Sequence, residues 1–310
     1  MSTVAAPAPA AEAPRRGHLT ERAREERRLA AMLVGPAAIV MIAVTAYPII
    51  DAVALSLQRS DLRFPSQSKF IGLANYGHVL SAPVWWQDVL HTVIITVITV
   101  SIQFVLGMGL ALIMHRVIFA RGLVRGIALI PYGLVAVVSA YSWQLAFSLN
   151  SGWIPKLLGL TSDPLSHTFG LYVAIIIAEI WKNTPFMALL LLAGLALVPD
   201  ELHEAARVDG ATTWQRFVRI TLPLMKPAIL VALLFRTLDA FRIFDTIYIF
   251  GQGAQNTESI SMLNYSTLLN RLNLGLGSAV SVLLFLLVGL IAFVFYRGFG
   301  AGAAPGGAEA

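Results

Sequence analysis

The sequence contains no cysteine. That excludes disulfides, thiolate metal sites and cysteine nucleophiles, and by itself assigns no compartment. Charge is also scarce. Asp, Glu, Lys and Arg make up 13% of the 310 residues, where a soluble domain carries about one quarter. Short segments of about ten residues with alternating polarity, the mark of a membrane β-barrel, are missing as well. No apolar core stands behind an early positive region with a cleavage site, so no removable signal peptide is expected. A phosphate-cradling Walker loop needs Gly-Lys followed by Ser or Thr. The four lysines follow Ser68, Pro155, Trp181 and Met225, so that dipeptide does not occur. Neither a G-x-S-x-G elbow nor an H-E-x-x-H pair is present, and the six histidines are scattered, which favours structural roles. No catalytic residue and no metal ligand are therefore assigned. The chain reads as a non-enzyme without a cofactor of its own.

What the sequence has in abundance is apolar runs. Hydrophobic residues make up 57% of it, and several runs reach the roughly 20 residues needed to cross a bilayer as a helix. The expected fold class is all-α, a polytopic membrane protein with six transmembrane helices at about 31–58, 88–114, 122–147, 170–198, 228–250 and 278–297. The expected organisation is a disordered or helical N-terminus over 1–28, a transmembrane domain over 29–298 with a polar loop at 199–227, and a flexible tail over 299–310. Fourteen of the 22 Lys and Arg residues fall on the side holding the N-terminus and the 199–227 loop, against five on the other side. The excess of positive charge places both termini and that loop in the cytoplasm. The net charge of +5 reflects this orientation and gives no reason to expect a nucleic-acid partner.

The stretch EAARVDGATTWQRFVRITLPLMKP, residues 204–227, interrupts two apolar runs. It is longer and more charged than a simple connection requires. Leu202, Ala205 and Ala206 repeat at helical spacing. Gly210 after Asp209 marks a helix stop in left-handed geometry, and Thr212 or Thr213 can cap a second helix. Trp214, Phe217 and Val218 form the next helical stripe, and Pro223 and Pro227 interrupt the chain before the next span. Two readings follow. One is a surface helix lying among lipid headgroups. The other is a docking element, favoured by the small Ala205–Ala206 face.

The order Glu204, Ala205, Ala206, Asp209, Gly210, Ala211, Phe217, Ile220, Leu222, Pro223, Pro227 resembles the EAA loop of the permeases of binding-protein-dependent ABC importers. AYPIIDAVALSLQ, FIGLANYGHVL, WKNTPF and LDAFRIFDTIYIF extend the resemblance over most of the chain, toward the sugar-permease branch related to the maltose and glycerol-phosphate importers. Within that branch the similarity is greatest to permeases that import trehalose. The resemblance implies a type I ABC importer permease fold in the bacterial cytoplasmic (inner) membrane. It implies that Glu204, Ala205, Ala206, Asp209, Gly210, Ala211, Trp214, Phe217, Leu222 and Pro223 couple to an ATP-binding subunit. It further implies a second homologous permease, two ATP-binding subunits that carry ATP and Mg, an extracytoplasmic sugar-binding (lipo)protein, and trehalose or another di- or oligosaccharide as substrate.

Polar residues within spans are costly and point to function or pairing. Glu179 and Lys182 lie three apart and can pair, and Pro185 frees a helix carbonyl. Arg236, Asp239, Arg242 and Asp245 spiral round the fifth span, where neighbours can pair. Interhelical salt bridges and a translocation path explain these residues equally well. In related sugar permeases, the residues around the span-four proline and the span-five row line the sugar site. By position these are Asn183, Phe186, Arg236, Asp239 and Ala240, with Ser139 in span three. The charged pair departs from the uncharged lining of the maltose permease, and Arg236 reads equally as a support for Asp239. Carboxylates within spans also leave an ion-coupled secondary transporter as the alternative, with a non-transporting scaffold as a further rival.

Overall fold

The computed structural model describes residues 21–117 and 120–300, in two compact units, 1–51 and 52–310. The expectations for residues 1–20 and 301–310 lie outside the described residues.

Helix α1 runs from Glu21 to Ser56 without a break at Pro36 or Pro48, so the charged lead and the first span are one helix. Its apolar part, Met32–Ser56, is long enough to cross a membrane. Leu33, Val40 and Ile50 are exposed, as they are on a helix that faces lipid.

Within the second unit, the chain leaves α1 through a short antiparallel hairpin, β1 (Gln58–Arg59) with β2 (Lys69–Phe70). Asn75 of α2 (Ala74–Ser81) donates to the carbonyls of Ser56 and Gln58 at 2.8 and 2.9 Å, fixing that exit. The long helix α3 (Pro83–Arg116) follows. Next come α4 (Arg121–Gly133), α5 (Ala136–Phe147), the short α6 (Trp153–Leu158) and α7 (Thr168–Leu195). The polar loop contains α8 (Asp200–Val208), α9 (Thr213–Arg216), a π-turn over Phe217–Thr221 and α10 (Leu222–Leu224). Then come α11 (Lys226–Ala240), α12 (Asp245–Gly251), α13 (Ile260–Tyr265) with its π-turn Ser266–Asn270, and α14 (Leu274–Gly300).

The centre of the unit is the pair α3 and α7. Gly107 of α3 lies against Met187, where an added Cβ would come within 2.8 Å of the Met187 side chain. Close approach of this kind is how membrane helices gain packing energy without a hydrophobic drive between them. One apolar cluster joins α3 and α7 to α11 through Met108, Met114, Leu191, Met225 and Ala232. Another joins them to α5 and α12 through Ile95, Phe147, Ile175 and Ile247. A third, with Trp85, Phe241, Ile260 and Val280, ties α14 to α3 and α13.

Four helices are long and apolar enough to cross a membrane, and six segments do so if each of two bent pairs is one span. The first bend divides the expected third span, 122–147, into two helices, whereas the second falls at Met225, before the expected fifth span, where Pro223 and Pro227 interrupt the chain. Residues 122–133 and 136–147 meet at 83°, and residues 213–224 and 226–251 at 70°. At the first bend Leu134 and Val135 are extended after Pro131 and Gly133. The fifth span is also interrupted beyond Ala240, where α12 starts anew at Asp245. Asp245 therefore does not continue the spiral of Arg236 and Asp239, and Arg242 has no ion pair among the described residues. Pro185, in contrast, does not break α7, which runs through it to Leu195.

Candidate functional site

Two arrangements of polar residues stand out. The first is the loop between α7 and α11. Helix α8 starts after Pro199 with Asp200 and Glu201 in its first turn, where acidic side chains favour the helix dipole. It ends in a Schellman turn. The Ala211 amide donates to the Ala206 carbonyl at 2.9 Å and the Gly210 amide to that of Arg207 at 3.1 Å. Gly210 takes φ +79°, a left-handed value that favours glycine. Thr212, rather than Thr213, caps α9. Its hydroxyl accepts from the Gln215 amide at 3.3 Å, while the Gln215 side chain accepts from the Thr212 amide at 2.8 Å. This reciprocal capping box holds the second helix close behind the Gly bend.

Of the coupling candidates, Glu204, Ala205, Asp209, Gly210, Trp214 and Pro223 are exposed, and Ala206, Ala211, Phe217 and Leu222 are half-buried. The Trp214 ring is 71% exposed and lies 5.7 Å from Phe217. Phe217 and Leu222 pack against the cluster that joins α3, α7 and α11. The loop thus presents an outward face while an inner face of the same segment is anchored in the helix bundle.

The second arrangement lies between the helices. The Glu179 side chain accepts from Asn183 Nδ2 at 2.8 Å and from the Thr246 hydroxyl. The Glu179 carbonyl accepts from Gln103 Nε2 at 2.9 Å. Gln103 Oε1 in turn accepts from Arg236 Nε at 3.1 Å, and Arg236 Nη1 donates to Asp239. One connected net therefore links α3, α7, α11 and α12. Arg236 is 0% exposed, whereas the Asp239 side chain is 67% exposed. Arg236 Nη2 is buried without a partner.

Asn183, Arg236 and Asp239 belong to this net. Phe186 stacks on Tyr132 with ring centroids 4.9 Å apart. Ser139 is buried in α5 and Ala240 is packed in the α3–α7–α11 cluster, so neither offers an open surface here. Glu179 does not pair with Lys182. The Lys182 ammonium sits 5.8 Å from the centre of the Tyr132 ring instead, and the Glu179 carboxylate is taken by Asn183 and Thr246. Gln103 and Thr246 are the members of the net that sequence reasoning missed. The available signal was a lone amide in the apolar run VITVSIQFVLG.

Among the described residues, no group of three or more His, Asp or Glu side chains is placed to hold a metal ion. What the geometry does offer is a polar net between the helices with an exposed carboxylate at its end, Asp239, and an exposed loop anchored to the same helices. On helices long and apolar enough to cross a membrane, that combination fits a membrane permease.

Residues 71–303 match the family of binding-protein-dependent transport system inner membrane components. The chain belongs to that family. It is 55% identical over 282 residues to the trehalose transport system permease protein SugA of Mycobacterium tuberculosis, covering 91% of this chain and 92% of that protein. It is 39% identical to the trehalose/maltose transport system permease protein MalF of Thermococcus litoralis, over 88% of this chain and 94% of that one. A solved chain from a bacterial ABC transporter involved in alginate import shares the fold with a TM-score of 0.75. It is 22% identical and covers 89% of this chain and 96% of its own.

Proposed function

We propose that this chain is the membrane-spanning permease subunit of an ATP-driven sugar importer, with trehalose or a related disaccharide as its substrate. The observation that carries this reading is the α8–Gly210–α9 loop, exposed on one face and anchored on the other, in a chain of the binding-protein-dependent family. The substrate class draws its support from the 55% and 39% identical relatives.

In this reading the chain pairs with a second, homologous permease in the bacterial cytoplasmic membrane. Two ATP-binding subunits, which carry ATP and Mg, engage the exposed residues around Glu204 and Gly210 from the cytoplasm, where both termini also lie. An extracytoplasmic sugar-binding lipoprotein delivers the substrate. ATP draws the two cytoplasmic subunits together, and the loops move with them. The inner anchor of Phe217 and Leu222 transmits that motion to α3, α7 and α11, and access alternates between the two sides. In the path, Asp239 accepts hydrogen bonds from sugar hydroxyls, and the fully buried Arg236 holds Asp239 in place from behind. Phe186 offers an apolar face to the ring. Glu179 acts behind them by holding Asn183 on its own helix and by accepting from Thr246, which ties α7 to α12.

An ion-coupled carrier would use Glu179, Asp239 or Asp245 to relay protons. Glu179 is instead committed to Asn183 and Thr246, and such a carrier leaves the anchored loop without a role. The direct test is uptake of labelled trehalose in a strain lacking the native gene and complemented with this one. Uptake should stop on ATP depletion and survive a protonophore. The opposite response would overturn the reading.

A further inference from the structure

Behind the exposed loop lies a cavity of about 840 Å³ whose arginines have no role in the transport reading. It is bounded by the C-terminal end of α3, the end of α7, and the inner sides of α8 and α9. Five of its lining side chains are basic or can become so: His115, Arg116, His203, Arg207 and Arg216. Against them stands a single carboxylate, Asp200. Among the described residues none of the three arginines forms an ion pair. Arg216 donates one Nη2 hydrogen bond to the Thr213 hydroxyl at 3.3 Å, and its Nε is buried without any partner. A helix C-terminus favours one nearby cation. That does not require three guanidinium groups from three helices to line one cavity. Apart from Thr213 and Thr221, the remaining wall is apolar, with Leu112, Leu195 and Phe217, and the exposed Trp214 indole also lines it.

We infer that this cavity binds a phosphate-bearing anion through Arg116, Arg207 and Arg216, with an anionic phospholipid headgroup as the source its apolar wall and exposed indole fit best. Guanidinium groups present forked donors that match phosphate oxygens. Basic clusters beside membrane helices attract anionic lipids by about one kcal/mol per charge, equivalent to roughly a fivefold gain in affinity for each. An occupant here would tie α3 to α8 and α9, and so would stiffen the segment between the outer loop and the bundle.

The test uses the full chain in its purified membrane complex, reconstituted in phosphatidylcholine nanodiscs. A Trp214→Phe copy supplies the background, so that only the Trp214 signal is read. Brominated phosphatidylglycerol should quench that signal saturably and at low mole fraction, whereas brominated phosphatidylcholine should not. Arg116→Gln with Arg207→Gln should raise the half-saturation point by roughly tenfold or more. Arg116→Lys with Arg207→Lys should leave it within a few-fold, which separates loss of charge from loss of fold. Relief of the quenching by millimolar inorganic phosphate, with the same arginine dependence, would assign the site to free phosphate. Persistence of the quenching would assign it to the lipid headgroup. Equal quenching by the two brominated lipids would reduce the contact to ordinary interfacial burial and overturn the inference. So would an unchanged half-saturation point in the glutamine variant, or its full loss in the lysine variant.

Discussion

A guanidinium at membrane depth is costly unless it is paired or wet. Arg236 meets that condition through Gln103 on one side and Asp239 on the other, while one nitrogen remains free. Replacing Arg236 with leucine should leave Gln103 Oε1 without its donor and Asp239 without its counter-charge. A loss of about 1–2 kcal/mol is expected, read as a lowered unfolding midpoint in detergent, since hydrogen bonds between membrane helices are modest. Sugar uptake should fall much further than stability. Outside the spans, Glu258 is half-buried and takes a hydrogen bond from Ser266 at 3.4 Å. Burial pushes its carboxyl above the usual range, despite Ser266 and Arg271, which pull it down. A raised carboxyl favours the folded state below its unfolded pKa of about 4.5, and that contribution is lost as pH rises through the folded value. Glu258→Gln should therefore stabilise the protein at neutral pH, with the gain vanishing below about pH 4. Thermal unfolding at the two pH values checks the sign. Asp61, half-buried in the loop after α1, behaves oppositely. Arg63 holds its carboxyl at about 2, with a bidentate contact of 2.9 and 2.6 Å.

At the scale of the element, the outer loop depends on local chemistry written plainly in the chain. Gly after Asp209 announced the helix stop, and Thr212 with Gln215 three residues later is the reciprocal cap. Nothing lies within 4 Å of a Cβ added at Gly210, so the cost of substitution is conformational rather than a clash. Gly210→Val should cost about 1–2 kcal/mol in the loop from the left-handed backbone alone. It should abolish uptake while membrane abundance, read by immunoblot, stays near normal. Thr212→Ala should cost about 1 kcal/mol by removing the cap and reduce uptake only partly. Equal uptake in the valine and alanine variants would sever the link between loop geometry and transport. The bend in the third span and the one before the fifth were less legible. Pro131 and Gly133 gave a local signal for the first. The second bend, near Met225, falls between Pro223 and Pro227, where the chain announced a break before the fifth span; its 70° angle depends on how α10 and α11 pack against α3 and α7, which no window of sequence contains. The net around Glu179 was unreadable for the same reason. Gln103 and Thr246 lie 76 and 67 residues from Glu179. Periodicity finds helices, but only packing decides which polar groups meet.

At the scale of the whole molecule, the fold joins an exposed loop, anchored in the bundle, and a polar net to the same helices, α7 and α11. In the proposed importer, energy reaches them through the loop from ATP-binding partners. The central claim is that it works within an ATP-driven sugar importer. The most direct measurement is affinity purification of the tagged chain from native membranes in mild detergent, followed by an ATPase assay with and without trehalose and its binding protein. The account predicts recovery of an ATP-binding subunit and a second permease, with ATPase activity raised by liganded binding protein and lost in the Gly210→Val variant. Recovery of the chain alone, with its loop intact and no associated ATPase, would contradict it.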